Sequence, residues 1–201
     1  MSKTRVPTGQ PMMLHLPLDL DDEQLLEFCR MNREWRIERP AEGDLELMPP
    51  TGGYTSERNF NIVVQLGNWT QRDGTGVAFD SNGGFVLPNG AMRSPDASWV
   101  KRERLADLTA EQKGKFPPLC PDFVVELRSP TDRLATLQEK LGEYVENGAR
   151  LGWLVDPEER KVHVYGAERE VRVLDRPESL SGESVLPGFV LDLKRIWEPG
   201  F

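Results

Sequence analysis

Residues 121–129, Pro121-Asp122-Phe123-Val124-Val125-Glu126-Leu127-Arg128-Ser129, constrain the fold more than any other stretch of this chain. Val124, Val125 and Leu127 supply a β-prone run that reads as a buried strand, and Ser129-Pro130-Thr131-Asp132 behind it is helix-start chemistry. A helix reached through so short a connection must fold back close to the carboxyl end of the strand. Side chains alternate along a strand, so Glu126 and Arg128 are expected on one face, about 7 Å apart. That pairing suits metal-dependent phosphodiester chemistry; the alternative is a partly exposed strand carrying a surface ion pair.

The helix is expected over 133–147, with Leu137, Leu141, Tyr144 and Val145 as its apolar stripe and Gly148 as its stop. Lys140 sits on or beside that stripe. Either its stem packs while the ammonium reaches water, or the ammonium reaches Glu126. A separate strand begins at Ser94-Pro95-Asp96, where Asp96 shares a face with Ser98 while Ala97 and Trp99 occupy the other. If the two strands are neighbours, Asp96 and Glu126 converge and can hold Mg²⁺ or Mn²⁺, which prefer oxygen ligands. Asp122, about 13 Å along the strand from Glu126, belongs at the strand entrance. Glu38 and Glu57 are further acidic candidates for an outer ligand position, as is Asp122.

The rest of the chain frames these elements. Residues 1–18 read as a loose arm and 19–201 as one domain. Asp21 or Asp22 caps a first helix presenting Leu25, Leu26, Phe28 and Cys29; 35–38 and 45–48 form a hairpin; and a helix of about four turns follows Ser56, ending before Gly74. A second hairpin joins 85–87 to 94–100 around Pro88-Asn89-Gly90-Ala91. A short helix is expected near 109–114, strands over the segment from Gly152 to Tyr165 and at 171–174, and a closing element at 190–197.

Composition limits function. A net charge of −8 argues against a constitutive coat of nucleic acid, but not against a nuclease, whose site must itself gather carboxylates. Two cysteines and two histidines, widely spaced, suggest neither a disulfide framework nor a structural zinc site. No apolar run is long enough to span a bilayer and no signal-peptide core is present, so the expected location is the cytoplasm, with no membrane partner.

The ordered set Ser94-Pro95-Asp96-Ala97-Ser98-Trp99-Val100, then Pro121 to Asp132 as quoted above, Lys140, and Gly148-Ala149-Arg150-Leu151-Gly152-Trp153-Leu154-Val155-Asp156-Pro157 resembles the Uma2 family, formerly a domain of unknown function. The similarity runs from about Pro49 through Asp156, with Leu186-Pro187-Gly188-Phe189 in keeping. Those proteins look like members of the PD-(D/E)XK restriction-endonuclease-like superfamily. By that resemblance Asp96 takes the metal-binding aspartate position and Glu126 the second acidic position. The superfamily places a lysine two residues after the glutamate; this chain has Arg128 there, which keeps the charge but cannot act as a base. Related families move the lysine to the following helix, and Lys140 stands where such a residue is expected.

The expected fold is α/β: a restriction-endonuclease-like central mixed β-sheet flanked by helices, with antiparallel hairpins. The expected function is divalent-metal-dependent endonucleolytic hydrolysis of DNA, a transient substrate, with Asp96 and Glu126 on Mg²⁺ or Mn²⁺, Lys140 orienting the nucleophile or stabilising charge, and Arg128 on phosphate. The alternative is a catalytically silent nuclease-fold interaction or regulatory module in which the same groups form a structural network. A homodimer is the candidate assembly.

Overall fold

A computed structural model describes residues 11–17, 20–166, 170–182 and 184–201. In chain order these form β1 (Met12–Leu14), α1 (Asp22–Met31), β2 (Arg36–Glu38), β3 (Leu45–Met48), α2 (Gly53–Asp73), β4 (Gly76–Asp80), β5 (Phe85–Val86), β6 (Met92–Arg93), β7 (Ala97–Lys101), α3 (Arg102–Ala106), α4 (Ala110–Lys113), β8 (Phe123–Leu127), α5 (Leu134–Glu146), β9 (Leu151–Asp156), β10 (Lys161–Gly166), β11 (Arg172–Asp175), β12 (Ser179–Ser181), β13 (Val190–Asp192) and α6 (Lys194–Trp197).

Six strands form the main sheet in the order β11-β10-β9-β8-β7-β4. Only β8 and β9 run parallel, which makes the sheet mixed, and α5 connects them. Parallel neighbours require such a crossover, and a crossover helix covers one sheet face. The sequence shows both coverings by parity. Phe123, Val125 and Leu127 of β8 face Ile62, Leu66 and Trp69 of α2, whereas Val124 packs with Leu141 and Tyr144 of α5. Alternation therefore puts Glu126 on the α5 face with Val124.

A smaller sheet, β1-β3-β2, encloses its own core of Leu25, Ile37, Leu45, Leu47 and Met92. A two-residue bridge docks it: Arg39 N donates to Met92 O at 2.9 Å and Met92 N to Arg39 O at 2.7 Å. The Arg39 side chain reinforces the joint by donating to Leu20 O, Asp22 and Gly90 O. This joint brings β2 to the end of β6, beside the start of β7.

Several details depart from the sequence reading. The segment read as a loose arm contains β1, because Met12–Leu14 find a partner in β3 that local sequence does not reveal; residues 1–10, 18 and 19 lie outside the described residues. The second hairpin closes through Met92–Arg93 and not 94–100, which instead pairs with β4 and β8. Helix α2 starts at Gly53, three residues before Ser56, and ends on Gly74, whose φ of 73° suits glycine. The first helix is capped by Asp21, in a reciprocal box with Gln24.

Gly76 of β4 lies against the buried indole of Trp99, and a Cβ there would sit 2.1 Å from a ring carbon. Gly76→Ala is expected to lower stability by about 1–3 kcal/mol, because the indole is boxed in by Trp69 and cannot retreat freely. A thermal melt unchanged from wild type would mean that this contact relaxes at no cost.

Candidate active site

Strands β7 and β8 pair with Ala97 opposite Val125, so one further step of the register sets Asp96 opposite Glu126. Directly opposed residues on neighbouring antiparallel strands have Cβ atoms about 4.5–5.5 Å apart. Asp96 is fixed on both oxygens: Oδ2 accepts from Leu127 N at 2.8 Å and Oδ1 from Arg36 Nη1 at 2.6 Å. Glu126 is fixed on one. Its Oε1 takes the Lys140 ammonium at 2.9 Å and the Tyr144 hydroxyl at 3.1 Å, while Oε2 has no hydrogen bond among the described residues.

Lys140 and Tyr144 lie four residues apart on α5, one turn along the same face. The Lys140 ammonium also donates to Glu38 Oε1 at 2.9 Å, so this buried side chain bridges two buried carboxylates. Glu38 is fully enclosed. Ser94 N donates to its Oε1 at 3.1 Å and Arg93 Nη1 to its Oε2 at 3.3 Å. Arg93 in turn pairs through Nε with Glu143 at 2.6 Å, and its Nη1 faces Glu46 at 3.6 Å.

The two carboxylates that share Lys140 are held in opposite electrostatic states. Burial pushes Glu38 up, but Lys140, Arg36 and Arg93 outweigh it and hold the carboxyl well below the usual range. Glu126 is also pushed up by burial, Lys140 compensates only in part, and Asp96 and Glu38 add repulsion, so its pKa rises to about 7. Burial opposes the charged form of Lys140 as well; Glu126 and Glu38 reverse that and keep it an ammonium. The Tyr144 hydroxyl is pushed well up, first by burial and then by Glu126, and remains a donor.

These observations bear on metal fit. Asp96 and Glu126 offer hard oxygen donors, one Glu126 oxygen is free of hydrogen bonds, and the Glu126 charge is under-compensated. All three suit a divalent ion of the Mg²⁺ or Mn²⁺ type, which keeps several waters and needs few protein ligands. Among the described residues no group of three His, Cys, Asp or Glu side chains converges as a ready ligand cage.

The remaining candidates sit elsewhere. Arg128 continues the β8 pairing, its N donating to Val155 O at 2.9 Å, but its guanidinium is engaged beyond Glu126: Nη1 pairs with Asp156 at 2.7 Å and Nη2 faces Glu158 at 3.5 Å. Asp122, at the opposite end of β8, accepts from Lys101 N at 2.9 Å and pairs with Arg104 at 3.0 Å. Glu57 accepts from Asn61 on its own helix and lies near Gly200. A surface cavity of about 320 Å³ lined by Val77, Phe79, Arg102 and Leu105 lies along β4 and includes none of the clustered charges.

Sequence reasoning overlooked Arg36, Arg93 and Tyr144. Arg36 had a signal: it stands two residues before Glu38 in the same short strand and so shares its face. Tyr144 had another, a hydroxyl within an apolar stripe, which needs a partner when buried. Arg93 was concealed by the misplaced hairpin strand.

The chain matches the Uma2 family model, described as "Putative restriction endonuclease", over residues 22–194. It is similar to the crystal structure of "a putative nuclease belonging to DUF820 from Anabaena variabilis", with a TM-score of 0.68 and 21% identity, over 80% of this chain and 89% of that one. That likeness is one of fold, and it accords with the expected restriction-endonuclease-like mixed sheet. No curated protein matches the chain. Among the described residues, no helix is long and apolar enough to cross a membrane.

Proposed function

We propose, since this chain belongs to the Uma2 family, that it is a nuclease which hydrolyses phosphodiester bonds of DNA with Mg²⁺ or Mn²⁺ held by Asp96 and Glu126. One observation carries the reading: a buried lysine ammonium lies 2.9 Å from Glu126, and Glu126 stands across a strand pair from Asp96. When bound, the ion would supply a Lewis acid for the phosphate and an activated water. The chain's own residues do the rest. Leu127 N and Arg36 orient Asp96, Tyr144 orients Glu126, and Lys140 brings a fixed positive charge to the place where negative charge develops. Glu38 holds Lys140 from behind, with Ser94 N and Arg93 fixing Glu38 itself.

Cleavage of a DNA substrate should therefore require Mg²⁺ or Mn²⁺, stop on chelation and return when either ion is restored, with no specific demand for zinc. Turnover that persists in excess chelator would remove the metal from this account.

The second reading is the catalytically silent module. It is favoured by the pairing of Glu38, which meets Lys140, Arg93 and a backbone N–H as a self-sufficient network would. Inactivity of the wild-type chain on DNA across both ions, with Mn²⁺ failing to bind, would support that module against the nuclease.

A further inference from the structure

Helix α2 packs Ile62, Leu66 and Trp69 against the main sheet and turns a different surface outward. There Phe60 is 67% exposed and Val64, one turn on, is 38% exposed. From Phe60 to Gln71 the outward stripe, Phe60, Val64, Gly67, Asn68 and Gln71, carries no charge, in a chain where 29% of residues are charged. An exposed aromatic on an uncharged helix face is the mark of a contact surface.

Gly67 adds a second, independent observation. It stands well inside this 21-residue helix, where glycine weakens the helix relative to alanine. Nothing within the chain asks for it: its φ is not left-handed, and a Cβ built there meets no described atom within 4 Å. That open space suits a side chain arriving from outside. Gly142 of α5 is as open, but Glu139 and Glu146 flank it and no exposed large apolar side chain accompanies it. Val64, Gly67, Asn68 and Gln71 follow the i, i+3, i+4, i+7 spacing of the four residues that surround a knob between packed helices, and Gly67 leaves the hole open.

We propose that the outward stripe of α2 is a homodimer interface, in which two α2 helices pack antiparallel across Val64 with Phe60 of each copy over Gly67 of the other. Phe60 lies four residues before Val64 and the centre of the hole three to four residues after it, so a twofold axis beside Val64 seats each knob in the other copy's hole. Charge agrees with this occupant and this direction. Glu57 and Arg72 bound the stripe, so antiparallel pairing sets each Arg72 at the level of the other copy's Glu57, whereas parallel pairing aligns like with like. Two copies of net charge −8 thus meet where neither bears charge. The face, about 23 Å long and about 10 Å wide, is small beside the about 800 Å² per partner of a stable interface, so the dimer is weak and concentration-dependent. Because α2 covers the sheet face opposite α5, the two charge clusters face away from each other, and the pairing does not depend on the nuclease reading.

Sedimentation velocity on the full chain, from the micromolar to the near-millimolar range, should show the mass rising from monomer towards dimer. Gly67→Gln fills the hole with a better helix former. It should weaken the dimer by at least tenfold and, in dilute samples, melt no lower than wild type, a combination that loss of folding cannot produce. Phe60→Gln should weaken the dimer by a similar factor, and it carries the test alone should Gly67→Gln melt early. On a Cys29→Ser background, Val64→Cys should crosslink to its copy under mild oxidation, whereas Gln71→Cys, about 21 Å from its copy along the helix direction, should not. A wild-type chain that stays monomeric throughout would overturn the second copy as the occupant. Dimers that survive both Gly67→Gln and Phe60→Gln would put the interface elsewhere and overturn the assignment. Crosslinking of Gln71→Cys as readily as of Val64→Cys would overturn the antiparallel register.

Discussion

Glu126→Gln is expected to lower DNA cleavage by about 10²- to 10³-fold or more while the protein stays folded. Gln keeps the shape of the side chain and can still accept from Tyr144 and Lys140, but it removes the charge that attracts the ion. Stability gives an independent readout with a definite sign. Because burial raises the Glu126 carboxyl to about 7, its contribution to stability is fully present below the ordinary value of 4.5 and is lost as pH rises through about 7. Gln does not ionise. The melting temperature of the variant should therefore gain on that of wild type between about pH 4.5 and 7 and stay level above that, whereas wild-type Mn²⁺ affinity should rise over the same interval as the competing proton leaves. A difference in melting that is flat with pH would show that Glu126 is not the group titrating there.

Lys140→Ala should show the largest combined effect. It strands Glu38 and Glu126 in a buried site, and breaking a buried pair from one side costs about 3–5 kcal/mol, read as a lower urea midpoint. The loss should deepen as pH rises and both acids ionise. Below the melt, turnover should fall by about 10²-fold with a smaller change in Mn²⁺ affinity, since an ammonium is not a ligand. Lys140→Met, which keeps the packed stem, separates the two effects. If that variant folds and cleaves at the wild-type rate, the ammonium is a structural partner of the two acids and has no part in turnover.

What the sequence disclosed follows from the range of the forces involved. The unit β8-α5-β9 was legible because its signals are local: apolar strand runs, a short connection, and Gly148 at a helix end. Asp96 was legible on its strand for the same reason, and so was the inward placement of Lys140 beside Leu141 and Tyr144. Glu38 was seen only as an outer acid, although it lies at the centre of the charge cluster. Its position depends on the bridge between Arg39 and Met92, a pairing of two short segments from different hairpins with no local mark. The partners of Arg128 were hidden for a related reason: Asp156 and Glu158 come from the end of β9 and the turn after it, which the spacing from Glu126 to Arg128 does not announce.

The docking of β2 through that bridge has a consequence for the order in which the protein is made. The ion pair between Lys140 and Glu38 spans 102 residues of chain, and that between Arg36 and Asp96 spans 60. A chain still on the ribosome, with everything through β7 already outside, holds Arg36, Glu38 and Asp96 but neither Glu126 nor the ammonium that neutralises the pair. Such a chain holds the Arg36–Asp96 and Arg93–Glu38 pairs but an incomplete cluster, which closes only when β8 and α5 bring Glu126 and Lys140 to it.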